Sequence, residues 1–349
     1  FVEPAQDCVL KMASRIRRRS TDLVTGKRRR NSQVRDRAGD TARTATVTTQ
    51  DNDRGIGIWR RFRTATERGG RLHIRLRRVA RPARSGLLRC RQCRNPLSPD
   101  LPVTPTDSRF DPYIVGRFTA PPAACSYLPG EMASLDYRLS PGMPAAVFNE
   151  LLRRGWRRHG CHVFRPACPE CVKCRSVRVD AQRFAPGKSQ RRCRQRNAEI
   201  NVVMQRPTLT RDHIALYNAW HVDMQARRGW RHSGITPEEY QRSFLAGRWE
   251  SAHEMLYYRA SQLVGVGLVD VTPDALSSAY FFHHPDWRDD GPGTYSVQRE
   301  IEFCRQTGRR WCYLGYWIAE CQSMSYKNRF RPFEVLEAYV ADDVEPVWL

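Results

Sequence analysis

The segment from Leu276 to Trp317 constrains the fold more than any other part of the chain. An aromatic run through Tyr280 and Phe282 breaks at Gly291-Pro292-Gly293, resumes with Val297, Ile301 and Cys304 at helical spacing, and closes in Trp311–Trp317. That succession predicts strand, glycine loop, helix and strand. Such an arrangement fits a βαβ unit, in which the helix makes the crossover between parallel strands. Its loop opens on a helix N-terminus, where exposed N–H groups and the positive end of the helix dipole attract phosphate or carbonyl oxygen. Glycine also serves a bend that binds nothing, so the loop alone leaves both readings open.

At 349 residues the chain is long enough for two cores. Its formal charge of +23 is concentrated at the front: residues 1–100 hold 26 Lys and Arg against 9 Asp and Glu. No sustained period runs through residues 1–104, which are expected to be a disordered basic extension. Such an arm could grip RNA by counterion release or be a mere appendage. The Arg-rich stretch from Met12 has the composition of a transit peptide but no amphipathic stripe. Lysine is confined to Lys11, Lys27, Lys173, Lys188 and Lys327, so an isolated arginine carries little information here. Twelve scattered cysteines in a chain of this size point to a reducing cytoplasm rather than a disulfide framework. No run approaches the roughly 18 apolar residues of a membrane helix.

From Asp107 the texture changes. Prolines pin an extended stretch through Pro129, Leu135, Tyr137 and Leu139 alternate as in a strand, and Pro144 to Trp156 has the period of a helix. A strand at Ser176–Asp180 and a basic helix at Lys188–Asn197 complete residues 105–197. From 198 to 349 the expected order is β-α-α-β-β-β-α-β-α-β, with Thr210 and Thr236 as helix caps and a last strand over 333–340. That order is similar to the GNAT acyltransferase fold. The expectation is therefore α+β: a GNAT-like catalytic domain (198–349) behind a small cysteine-containing α+β recognition domain (105–197) and the basic extension (1–104).

Four motifs follow one another at plausible spacing. They are Cys125-Ser-Tyr-Leu-Pro-Gly, Phe164-Arg-Pro-x-Cys-Pro-x-Cys-x-x-Cys174, Lys188-Ser-Gln-Arg-Arg-x-x-x-Arg-Asn197, and Leu314-Gly-Tyr-Trp-Ile followed by Met324-x-Tyr-Lys-x-Arg-Phe-Arg-Pro. Together they resemble the arginyl-tRNA protein transferase family, and within it the bacterial aspartate/glutamate leucyltransferase branch. The resemblance implies transfer of an amino acid, leucine in that branch, from aminoacyl-tRNA to the α-amino group of proteins beginning with Asp or Glu, marking them for degradation. It implies no membrane partner and no required cofactor. An α-amino group with a pKa of about 7.7–8.0 is already partly neutral at cellular pH, so positioning and oxyanion stabilisation should dominate the chemistry.

On this resemblance Tyr295, Tyr316 and Lys327 are candidates for the catalytic centre. Tyr127, Arg178, Lys188, Gln190, Arg191, Arg192, Arg196 and Asn197 are candidates for holding the acceptor's carboxylate or tRNA phosphate; a solvated charge run is the other reading of that block. Tyr280, Phe282, Gly291, Gly293, Thr294, Gly315 and Trp317 are candidates for the donor pocket, although strand aromatics commonly belong to a core. Cys168, Cys171 and Cys174, with Cys125 as a fourth, have thiolate-site spacing for zinc or an iron–sulfur cluster, or are reduced thiols.

The chain also departs from the family pattern. Gly291-Pro-Gly stands where the family reads Ser-Leu-Gly, Ala319-Glu320 replaces Pro-Gly, and Gln322-Ser323 replaces Arg-Lys. Arg288-x-x-Gly-x-Gly293 resembles the pyrophosphate loop of acetyl-coenzyme A acetyltransferases, which gives a rival enzymatic reading. A non-enzymatic RNA-binding adaptor is the third.

Overall fold

The computed structural model describes residues 109–231 and 234–349. The expected extension at 1–104, with its Cys90 and Cys93 pair, lies outside the described residues.

Chain order begins with β1 (Gly116–Thr119), a short β2 (Ala123–Ala124) and β3 (Met132–Ala133) hairpin, and β4 (Leu135–Leu139). Helix α1 (Ala145–Arg153), β5 (Arg157–His159) and β6 (His162–Pro166) follow. Strands β1, β4, β6 and β5 form a four-stranded antiparallel sheet in that order. Helix α1 starts after Pro144, whose fixed geometry suits a helix entry, and buries Phe148, Leu151 and Leu152 against Trp156, Val163 and Trp249. Burial of each such side chain is worth about 1.5–3 kcal/mol.

The rest is built on one larger sheet. Its elements are β7 (Arg175–Asp180), α2 (Lys188–Arg196), β8 (Ile200–Gln205), α3 (Arg211–Arg228), α4 (Pro237–Tyr240), β9 (Ala252–Arg259), β10 (Gln262–Val271), β11 (Ala275–His283), α5 (Pro292–Gln306), β12 (Trp311–Trp317), α6 (Gln322–Ser325) and β13 (Phe333–Val335). From β8 onward this is the element order that the GNAT resemblance implied. The spatial order is β13-β7-β12-β11-β10-β9-β8. Strand β7, from the segment before residue 198, thus lies inside this sheet between β12 and β13. The last strand ends at Val335 rather than 340, after which Leu336 makes only an isolated bridge to Trp348.

Alternation along the strands sends side chains to two helical layers. Leu256, Val266, Leu268, Tyr280 and Phe282 face α3 with its Leu216, Tyr217 and Trp220. Met255, Tyr257, Val264 and Phe281 lie in the opposite core with Val297, Ile301 and Cys304 of α5. Thr210 caps α3 by accepting from the His213 N–H, and Thr236 with Glu239 forms a reciprocal capping box on α4, as their residue types predict.

Candidate active site

Strands β11 and β12 are parallel neighbours, yet they pair only over Ala275–Ser277 and Trp311–Tyr313. Beyond that point β12 stays with β7 as far as Trp317, with a register shift between Tyr313 and Gly315, while β11 stays with β10. A parting pair of interior strands leaves backbone groups that need other partners. Two buried cations supply them. Arg157 of β5 donates from Nη2 to Ser278 O at 2.9 Å, and Lys327 donates from Nζ to Tyr316 O. Gly315 stands between the cations: a Cβ there would lie 3.4 Å from Arg157 Nη2 and 3.6 Å from Lys327 Nζ. Its φ of +84° also favours glycine.

A narrow cleft opens at this divergence. It is lined by Ser278 on β11, Leu314 on β12, Gly293 and Ser296 in the first turns of α5, and Tyr326 and Lys327 in the turn after α6. Helix α5 supplies few donors at its start. The Gly291 N–H goes to Arg288 O, Pro292 has none, and those of Thr294 and Tyr295 go to Gly291 O. That leaves the N–H of Gly293, a residue that lines the cleft.

Burial shapes the ionisation of this cluster. Lys327 is pushed down to about 7 by burial and then by the charge of Arg157. Glu300, in the third turn of α5 and 1 % exposed, accepts from Ser278 Oγ at 3.1 Å. Burial pushes its carboxyl up to about 8, against that hydrogen bond and the Arg157 charge. Arg157 Nη1 and Glu300 Oε2 are buried without a hydrogen-bond partner. Unsatisfied buried polar atoms are costly, and these two lie behind residues that touch the cleft, Arg157 on Ser278 O and Glu300 on Ser278 Oγ.

Of the sequence candidates, Lys327, Gly293 and Gly315 meet here, and several others turn out to brace the structure. Tyr316 shares its hydroxyl proton between the carbonyls of Phe164 and Gly155, at 3.1 and 3.2 Å. Tyr295 packs into the core against Tyr257 and Trp287. Tyr280 borders the cleft, but its ring stacks on Phe244 and its hydroxyl meets His221 Nε2 at 3.0 Å; Phe282 lies in the same α3-facing core. Trp317 packs on Phe333 and donates to Ser325 O, Gly291 caps α5, and Thr294 lies half-buried in its first turn.

Arg178 was expected to be a free fork for an acidic acceptor, and the structure gives it another partner. Nε and Nη2 both donate to Glu334 Oε2, at 2.9 and 2.7 Å, and the guanidinium lies over Trp311 and Trp348. Asn197 is likewise structural: it donates to Cys193 O and Asp290 O at 2.8 Å each and accepts from Trp287 Nε1. Gln190 completes the cap of α2 and donates to Arg329 O, which ties this helix to the turn carrying Lys327. Arg196 reaches Asp290 O at 3.5 Å. Lys188, Arg191 and Arg192 remain exposed on α2.

Cys125, Cys171, Cys174 and Tyr127 pack around an apolar floor of Leu128, Ile318, Cys321 and Met324. The Cys174 thiol is pushed up to about 12, by burial first and then by Cys168, Cys125 and Cys171. Among the described residues no three His, Cys, Asp or Glu side chains are arranged to hold a metal ion.

Arg157, Ser278 and Glu300 were not anticipated. Glu300 carried a signal, because it interrupts the Val297, Ile301, Cys304 stripe on the buried face of α5.

A mixed sheet whose central strands part beside a helix N-terminus, with buried donors at the opening, has the architecture of an acyl-transfer enzyme. Models for the N terminus and the C terminus of arginine-tRNA-protein transferase match residues 123–192 and 212–337. The chain belongs to the arginine-tRNA-protein transferase family. It is 34 % identical to the aspartate/glutamate leucyltransferase of Helicobacter hepaticus over 66 % of this chain and 96 % of that one. It is 40 % identical to that of Stenotrophomonas maltophilia over 56 % and 77 %. Among solved structures, FemX aligns at a TM-score of 0.37 and 7 % identity, covering 65 % of this chain and 89 % of that one. Among the described residues no helix is long and apolar enough to cross a membrane.

Proposed function

We propose that the chain transfers leucine from leucyl-tRNA to the α-amino group of proteins that begin with Asp or Glu, in the cytoplasm, marking them for degradation. The observation that carries this reading is the β11/β12 cleft, which Lys327 and Gly293, at the first turn of α5, line together. Aminolysis of an activated ester needs this and little more: the amine is positioned, and the tetrahedral oxyanion is held by preorganised donors. Charged Lys327 has one N–H beyond its bonds to Tyr316 O and Met324 Sδ. The names of the relatives support leucine as donor and Asp or Glu as acceptor.

The acetyl-coenzyme A reading loses its basis, since Arg288 is paired with Asp223 and the Gly291 N–H is taken by Arg288 O. Family membership sets aside the non-enzymatic adaptor. The test is transfer of radiolabel from leucyl-tRNA, arginyl-tRNA or acetyl-coenzyme A to peptides beginning with Asp, Glu, Lys or Arg. Label on Asp and Glu peptides from leucyl-tRNA is expected; its absence there overturns the proposal.

Lys188, Arg191 and Arg192 form the exposed cationic face of α2 and are assigned to tRNA phosphate. Each phosphate contact contributes a slope of about −0.7 to −0.9 to the dependence of log affinity on log salt. The double variant Arg191→Ala/Arg192→Ala should weaken tRNA binding and reduce that slope by about 1–2, with acceptor preference unchanged. An unaltered salt slope with altered acceptor preference would reassign the pair to the acceptor's carboxylate.

A further inference from the structure

We propose that Glu300, acting through the hydroxyl of Ser278, takes the proton that the acceptor's α-amino nitrogen sheds during aminoacyl transfer. The proposal rests on the transferase reading above and adds a proton path to it.

The geometry is specific. Ser278 is the residue after the last β11 pairing with β12, so it sits at the mouth of the divergence and lines the cleft together with Gly293 and Lys327. Its carbonyl is held by Arg157, which fixes the backbone at this point. Its hydroxyl donates to Glu300 Oε1, turning the oxygen's lone pairs to other donors. Glu300 does not line the cleft, and Ser278 is its connection to it. The second carboxyl oxygen has no partner, although the side chain is fully buried.

In the step proposed, the neutral amine attacks the ester carbonyl and a C–N bond forms. The nitrogen becomes acidic and passes a proton to Ser278 Oγ as the Ser278 proton moves to Glu300 Oε1. The acyl C–O bond to the ribose then breaks. The departing oxygen regains the proton by the reverse path, so one amide and one ribose hydroxyl are produced and Glu300 returns to carboxylate. No co-reactant is required.

The groups that act on Glu300 come from several elements. Among the described residues Arg157 of β5 is a cation acting on it; Tyr257 of β9, Cys312 of β12 and Tyr326 beyond α6 are uncharged at neutral pH, their ionisation being pushed upward. A carboxyl at about 8 matches an α-amino group at about 7.7–8.0, and proton transfer between matched groups is where general-base assistance works best.

The test is the pH profile of kcat/KM for an Asp-initiated peptide at saturating leucyl-tRNA. Wild type must deprotonate both the acceptor amine and Glu300, so log kcat/KM should rise with a slope approaching about 2 below pH 7. Glu300→Gln keeps the shape and the hydrogen bond from Ser278 but cannot take a proton. It should fall by about 10²–10⁴-fold at pH 8, and its slope should drop to about 1. Ser278→Ala should show the same drop in slope, and Glu300→Asp should restore the steeper profile in part. A merely structural Glu300 would change the rate without changing the slope. Glu300→Gln with the wild-type slope overturns the proposal, and if that variant does not fold, Ser278→Ala decides by the same criterion. A wild-type chain that transfers nothing overturns the transferase reading and the relay with it.

Discussion

Lys327→Met is expected to lower kcat for transfer by about 10²–10³-fold, the usual effect of removing one oxyanion donor, while KM for the acceptor peptide changes little. Lys327 is fully buried at the cleft, with its Nζ between Tyr316 O and Met324 Sδ. Methionine fills nearly the same volume without the donor, so packing is kept. The folded state should also gain stability at acidic pH. Burial lowers the lysine's pKa from 10.5 to about 7, so the unfolded chain holds this proton more tightly than the folded one. Between about 7 and 10.5 the unfolded state therefore binds more protons, and the lysine's cost to stability shrinks as pH rises through that window. The gain from Met should be full below pH 7 and fade toward pH 10.5, offset throughout by about 1–3 kcal/mol for the abandoned Tyr316 carbonyl. Single-turnover rates and urea unfolding at pH 6 and 9 check both parts, and full activity in Lys327→Met would remove the residue from the chemistry.

What could be read in advance divides along local and tertiary lines. Helix caps, strand alternation and the glycine break are local signals, so the element order from β8 to β13 was legible. Strands β5 and β6 were not. Arg157–His159 is a charged run by composition, and only its place in the sheet, with Arg157 reaching Ser278, explains its burial. The last strand was read too long because Leu336 and Tyr339 have strand-like side chains, while their partners lie elsewhere: Leu336 bridges Trp348, and Tyr339 donates to Cys174 O.

The same division governs the site. Lys327 was visible through its motif, but Arg178 could not be known to lack freedom without Glu334, 156 residues further on. Tyr280 and Phe282 were correctly placed on one face of their strand, and the face proved to be the one under α3 rather than the one under α5. Glu300 was the most readable of the missed residues. A carboxylate on an apolar helical stripe is either paired or functional, and Arg157, whose charge acts on it, came from a strand that had not been foreseen.

Glu300→Gln should leave stability nearly unchanged at pH 5 and raise it on the order of 4 kcal/mol at pH 8. The carboxyl's pKa rises from 4.5 in the unfolded chain to about 8 in the folded one, so between those values the folded state binds the extra proton. Stability from this group is therefore complete below pH 4.5 and is lost as pH climbs through 8. Glutamine has no proton to lose and removes the slope. At about 2–4 °C per kcal/mol for a domain of this size, the wild-type Tm should drop between pH 5 and 8 by several degrees more than that of the variant. Parallel Tm profiles would show that Glu300 does not titrate in this range. The stability and rate measurements then bear on one another. A residue that weakens the fold most at the pH where it becomes a carboxylate, and at which transfer is fastest, is held there for its chemistry, since an amide in the same place would make the better core.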